Sequence, residues 1–321
     1  MDKIEYTRSR FAQLLGLDEA ALGSVDSKMG RKAEKSVLYL PQDLSAYRQK
    51  LPRSPSIQTT RKQLFLNFKG GTGKTSLSTA YAYRLAEMGN RVLLIDLDSQ
   101  GHAAKCLGYE PEEFPKTLYE VLIKKVPIKD ILLETPLREL HLVPSNLTMS
   151  TIDLALMPMH AREYKLRQAF EGLSGQYDFI VMDAPPSFGL LNLNALMATN
   201  DLIIPVLADF LSFHGLKLLF ETIAGLEQDL QLVLDQIFVV INHFNPTTRI
   251  ARQARDALEK HYADFLLETV VRQCTKFAQA SSEGIPISAF DPTSKGAQDI
   301  ESFISEVRKR TKHLQAKEKS V

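Results

Sequence analysis

Cysteine is almost missing from this 321-residue chain, which has only Cys106 and Cys274. Two thiols cannot build a disulfide framework or a four-cysteine zinc site within one chain, and they suit a reducing compartment. Tryptophan is absent. No apolar run reaches the roughly 20 residues that a membrane-spanning helix needs. The first residues, MDKIEYTRSR, lack the apolar core of a signal peptide. Charge of one sign is missing too: 39 Lys and Arg stand against 38 Asp and Glu, a formal net charge of +1. A globally basic nucleic-acid coat is thereby excluded, whereas a local basic face is not. No internal repeat is visible. What remains is 44% hydrophobic and 24% charged, the balance of a compact, soluble, cytoplasmic protein with one large domain or two smaller ones.

Residues 1–60 read as a small helical module and linker, and residues 61–321 as a larger domain. In the module, RFAQLLGLDEAAL suggests a helix, a turn at Gly16 and a second helix capped by Asp18. SVLYLPQDLSAYRQKL suggests an extended stretch and a helix capped near Asp43. LPRSPSIQTTRK, with two prolines and few large apolar residues, suits a linker. From Leu64 onward the rhythm changes. QLFLNF, RVLLIDLD, LHLVP, DFIVMDAP, DLIIPVL and QIFVVINHF alternate with longer amphipathic segments. That alternation predicts an α/β fold, a mostly parallel sheet with helices on both faces.

The sharpest motif is Lys69-Gly70-Gly71-Thr72-Gly73-Lys74-Thr75-Ser76, between a strand and a helix. Phe68 stands where the general phosphate-loop pattern has its first glycine, so the motif is the variant KGGxGKT. Its chemistry is that of a phosphate loop. Glycines let backbone N–H groups close on phosphate oxygens, and the helix N-terminus adds partial positive charge. Lys74 would reach the β- and γ-phosphates of ATP, and Thr75 would offer a hydroxyl to Mg²⁺. Asp96 and Asp98 end one apolar strand and Asp183 ends another. Carboxylates at strand ends beside such a loop suit metal and water positioning.

KGGTGKT resembles the deviant Walker A motif of the ParA/MinD-type partition ATPases, P-loop enzymes. RVLLIDLDSQGHAAKCLG is similar to that family's switch I segment, with Ser99 and His102 where proline and asparagine are usual. YDFIVMDAPPSFG is similar to its Walker B strand and switch II, and IPISAFDPTSKGA to its C-terminal stretch. The resemblance covers about Leu64 to Arg310. It implies an ATP-dependent homodimer in which Lys69 acts in trans on the partner's nucleotide. It also implies that Asp98 orients or activates the attacking water, that Asp96 lies nearer the Mg²⁺ shell, and that Asp183 holds Mg²⁺ through water. Asn242, Pro286 and Asp291 would line the base pocket.

One branch of that family binds membranes through an amphipathic tail and the other binds DNA non-specifically. The tail here carries Arg308, Lys309, Arg310, Lys312, Lys317 and Lys319 without clustered large apolar residues, which disfavours a membrane. Arg249, Arg252 and Arg255 on one helix, with Arg272 and Lys276 in VVRQCTKFAQA, are the candidate phosphate contacts; an ordinary solvated face is the alternative for the first three. The expectation is a nucleoid-associated ATPase. It would position a plasmid, a chromosome or a protein cargo, with hydrolysis stimulated by a centromere-binding protein or cargo adaptor. The N-terminal module looks like a winged helix-turn-helix and is read either as an operator-binding repressor or as a docking module. Two further classes stay open, a metabolic ATP-dependent enzyme on the same scaffold and a DNA-binding regulator.

Overall fold

A computed structural model of the chain describes residues 3–31, 37–51 and 59–317. The centre of the expected linker, 52–58, and the tail residue Lys319 lie outside them.

Helix α1, Arg8–Leu15, is capped by Thr7 and ends at Gly16, whose φ of 69° is the left-handed turn that glycine supplies without strain. Helix α2, Glu19–Lys28, starts at Asp18, whose carboxylate accepts from the Ala21 N–H at 2.7 Å. Helix α3, Pro41–Arg48, is capped one turn earlier than the sequence suggests. Its N-cap is Leu40, and Asp43 reaches back from the first turn to accept the Leu40 N–H at 2.8 Å. Proline at the first helical position fixes this start.

The larger part is one sheet. Its strands are β1 Arg61–Phe65, β2 Val92–Asp96, β3 Leu133–Glu134, β4 Leu140–Val143, β5 Phe179–Asp183, β6 Asp201–Leu207, β7 Gln236–Phe244 and β8 Leu266–Arg272. They lie in the order β3-β4-β2-β5-β1-β6-β7-β8. Only the β3–β4 pair is antiparallel; the other neighbours run parallel. The helices between and after them are α4 Lys74–Glu87, α5 His102–Cys106, α6 Leu118–Lys124, α7 Ile152–Leu156, α8 Lys165–Glu171, α9 Leu190–Ala198, α10 Phe210–Leu230, α11 Arg249–Tyr262, α12 Lys276–Glu283, α13 Ile287–Phe290 and α14 Lys295–Lys317.

The six apolar runs of the sequence all form strands. Two strands were not legible. β3 has only two residues, and β8 is an edge strand whose middle carries exposed Glu268 and half-buried Thr269. VVR, read from sequence as part of a loop and helix, is the end of β8.

Alternation along the strands builds two cores. Phe65, Val92 and Leu94 face α4 and α14, while Leu64, Leu66, Leu93 and Ile95 face α9 and α10. The N-terminal helices belong to the first core. Phe11 stacks on Tyr39 with centroids 4.1 Å apart, and both join the cluster that contains Tyr81, Leu85 and Phe303. Buried polar bonds join the same surfaces. Tyr6 donates to Glu87 at 2.9 Å and lies 2.7 Å from the Tyr83 hydroxyl. Asp26, fully buried, accepts from Arg8, Tyr39 and Tyr47.

Candidate nucleotide site

The loop between β1 and α4 is held from behind. The buried Asn67 amide donates to the Pro205 carbonyl at 2.7 Å, and its oxygen accepts the Lys69 N–H at 2.9 Å. Gly71 and Gly73 take φ of 73° and 86°, values that an L side chain rarely adopts. Nothing lies within 4 Å of where a Cβ would stand on Gly70 or Gly71, so the cradle is open. Behind Gly73 the fit is close: a Cβ there would meet the Asn242 amide nitrogen at 2.1 Å. That amide donates to the Thr72 carbonyl at 2.8 Å. Asn242, which the resemblance sets at the base pocket, therefore also braces the loop.

Lys74 opens α4 and is 7% exposed. Its ammonium donates to the Lys69 carbonyl at 3.3 Å. Burial lowers its pKa, while Asp183 and Asp98 act to raise it. Those three charges thus converge on the loop, although they lie far apart in sequence.

β2 and β5 are neighbours in register, which sets Asp96 beside Asp183. Both are fully buried, yet they differ. Asp96 uses both oxygens on the loop that follows it, accepting the N–H groups of Asp98 and Ala103 at 3.0 Å each. Burial and the facing Asp183 push its carboxyl well above the usual range. Neither oxygen of Asp183 has a hydrogen-bond partner. Burial pushes this carboxyl up to about 7, against the pull of the nearby Thr75 and Ser78 hydroxyls and the Lys74 ammonium. A buried carboxylate without a partner is costly unless a cation or ordered water completes it. Hard oxygen donors on Thr75 and Asp183, beside a phosphate cradle, fit Mg²⁺, which takes few protein ligands and shares substrate phosphates. Asp98 lies half-exposed at the loop's start and accepts the Gln100 N–H.

Lys69 does not point freely from the loop. Its ammonium lies 2.9 Å from Asp209 and 3.3 Å from the Ser212 hydroxyl. Asp209 is the N-cap of α10 and also accepts the Ser212 N–H. Burial acts to raise the Asp209 carboxyl, but Lys69 and that N–H outweigh it and hold it below its usual value. Sequence reasoning missed Asp209; the readable signal was a carboxylate at the end of the apolar run DLIIPVL. Two large apolar side chains on the adjoining segments are exposed. Phe188, after β5, is 48% exposed and packs edge-on against Phe68, and Phe210, next to Asp209, is 60% exposed.

Of the other expected residues, Pro286 caps α13 and lines a small cavity with Ser76 and Thr79. Asp291 accepts from the Thr293 N–H and hydroxyl and lies 3.8 Å from Lys276. Arg272 ends β8 in a bidentate pair with Asp299 of α14, at 2.6 Å. Arg249 and Arg252 are exposed in the first turn of α11, Arg252 donating to the Pro246 carbonyl. Arg255 lies over the Phe244 ring.

A glycine cradle at the N-terminus of α4, with Lys74 and two strand-end carboxylates, defines a P-loop nucleoside-triphosphatase. Comparison with known proteins narrows this. The AAA domain family model matches residues 60–236. The chain is 57% identical over 310 residues to the cell division protein PomZ of Myxococcus xanthus, covering 97% of this chain and 95% of that protein. It is 33% identical over 241 residues to the sporulation initiation inhibitor protein Soj of Bacillus subtilis, covering 75% and 95%. Among solved structures, a Mycobacterium smegmatis cobyrinic acid a,c-diamide synthase with bound ATP analogue and magnesium matches with a TM-score of 0.69 at 28% identity, covering 79% and 96%. An ATP complex of Cyanothece McdA shares the fold, with a TM-score of 0.71 at 20% identity, covering 79% and 97%. The chain belongs to the AAA domain family and, within it, to the ParA-type P-loop ATPases. It is an ATPase that uses ATP and Mg²⁺. Among the described residues no helix is long and apolar enough to cross a membrane.

Proposed function

We propose that this ParA-like ATPase closes into a homodimer on ATP, holds DNA non-specifically in that state, and releases it on hydrolysis stimulated by a partner. The observation that carries this reading is the second loop lysine, Lys69, paired with Asp209 while Phe188, packed on Phe68, and Phe210, next to Asp209, stand exposed. A loop cation with exposed aromatic side chains on the neighbouring segments is what a face-to-face dimer would bury.

In the proposed division of labour, the N–H groups of residues 70–76 and the Lys74 ammonium bind phosphates. Thr75 and Asp183 hold Mg²⁺, Asp183 through water. The metal supplies charge that offsets the phosphate oxygens. Asp96 keeps the 98–103 loop in place through its two N–H bonds, and Asp98 orients the water. Lys69 leaves Asp209 to reach the partner's nucleotide. Asn242, Pro286 and Asp291 shape the base side. Arg249, Arg252, Arg255 and Lys276 contact DNA phosphates, while Arg272 acts mainly through Asp299. Cell division protein PomZ, chromosome partitioning protein ParA of M. xanthus and Soj are named for division, chromosome partitioning and sporulation. Their names support a positioning role on the nucleoid, with a centromere-binding protein or cargo adaptor as the stimulating partner.

The test is a salt titration of DNA binding with ATP, ADP or no nucleotide, on the natural chain and on Asp98→Ala. The expected result is strong binding only with ATP, and persistent DNA-bound dimer in Asp98→Ala. Asp98→Ala hydrolysing at the natural rate would overturn the catalytic assignment. Turnover that depends on a small carboxylate rather than on DNA would favour synthase chemistry.

A further inference from the structure

A cleft of about 540 Å³ lies away from the nucleotide loop, between the end of α6, the 3-10 turn Ile128–Ile131 and α8. Its floor is apolar, with Val121, Leu122 and Ile128 nearly buried beneath it. One wall is the face of α8 formed by Lys165, Gln168, Ala169 and Gly172. These recur at the i, i+3, i+4, i+7 spacing of one helix stripe. Leu166, Phe170 and Leu173 on the other side are buried, so the cleft-facing stripe is left without a large apolar side chain to fill it.

The rim is cationic. Lys125, Lys129 and Lys165 line the cleft, no acidic residue does, and none of the three makes an ion pair among the described residues. Their neighbour Lys124, by contrast, pairs with Glu120. Lys125 also occupies a left-handed C-cap with φ of 57°, a position that favours glycine.

We propose that this cleft is a docking site for an acidic amphipathic helix of a partner protein, whose apolar side chains enter the floor while its carboxylates meet the three lysines. Apolar floor and unneutralised rim are the complement of such a segment. The site is separate from the nucleotide loop, so its failure leaves the ATPase reading untouched. It is not remote from the switch, however. α6 packs on α7 and α8, α8 packs on α9, and Asp153 of α7 accepts the Leu191 N–H at the start of α9, just after the Asp183 loop.

The probe is a fluorescent peptide with leucine at i, i+3, i+4 and i+7 and glutamate on the flanks, titrated against the full chain by anisotropy. A second peptide has lysine in place of each glutamate. Saturable binding of the acidic peptide alone is expected, weakened about tenfold or more by combined Lys125→Glu, Lys129→Glu and Lys165→Glu, and abolished by Ala169→Arg, which fills the cleft from its α8 wall. Unchanged ATP turnover and melting temperature would show that the variants fold. Equal binding of both peptides, or full binding by the triple variant, would overturn the proposal. So would flotation of the natural chain, but not the triple variant, with phosphatidylglycerol vesicles, because the rim would then serve lipid.

Discussion

Asp183 is fully buried with neither oxygen bonded, whereas Asp96 beside it has both oxygens occupied. Removing charge from Asp183 therefore sacrifices no hydrogen bond of its oxygens, whereas at Asp96 it would weaken two. Asp183→Asn should stabilise the metal-free protein by about 1–3 kcal/mol, because an unpaired buried anion is lost. The same change should lower Mg²⁺-dependent turnover about a hundredfold. Melting in EDTA and steady-state ATP hydrolysis check the two halves; a lower melting temperature in EDTA would mean that Asp183 is paired after all. Lys69 gives a second residue-level expectation. Its pair with Asp209 is partly exposed, 29% and 36% for the two side chains. Such a pair is worth up to about 1 kcal/mol. If it must break for the dimer to form, Asp209→Asn should raise the dimer fraction at fixed ATP about two- to fivefold. Sedimentation in the Asp98→Ala background reads this directly, and an unchanged or smaller fraction would show that Asp209 does not restrain Lys69.

Elements show why some of the site was legible and some was not. Strands buried on both faces must be continuously apolar, so β2 and β5 and the carboxylates at their ends stand out in the sequence. The glycine loop stands out for the same kind of reason, since few residues tolerate its backbone. β8 did not, because an edge strand is buried unevenly and carries Glu268 in its middle. Nor did the Lys69–Asp209 pair, which needs β1 and β6 to be neighbours, a fact of strand order that no local pattern holds. Helix α11 carries, in its first turn, charges that oppose its stability, although Lys260 and His261 in its last turn favour it. Arg249 opens it and Arg252 completes its first turn, where cations oppose the helix dipole. Arg249→Glu should therefore raise stability by about 0.3–1 kcal/mol while lowering ATP-dependent DNA affinity and cutting the salt slope by about one. Urea unfolding and a salt titration of DNA binding test both signs. A gain in stability with no change in slope would assign Arg249 to an ordinary solvated face.

At the scale of the whole molecule, the near-neutral charge is compatible with the proposed ATP-dependent DNA binding, which needs only a local basic face. The sequence divides naturally near residue 60, but the core does not follow that division. Phe11, Tyr39 and Tyr47 lie in one cluster with Tyr81 and Leu85 of α4, the helix that begins with Lys74. Arg48 of α3 also reaches Glu139 at 3.3 Å, beside β4. Packing of this kind predicts that the N-terminal helices unfold together with the nucleotide loop, whether or not they also meet DNA or a partner. Phe11→Ala, which empties a fully buried stacked site, should then cost about 3–5 kcal/mol. The loss should appear in the same transition that ATP and Mg²⁺ stabilise, because ligand binding shifts only the unit that carries its site. Thermal unfolding followed by calorimetry with and without Mg-ATP distinguishes the cases. One transition that Phe11→Ala lowers and Mg-ATP raises is expected. Two transitions, with only the ATP-insensitive one moved by Phe11→Ala, would mean that the helices before residue 60 fold as an independent module.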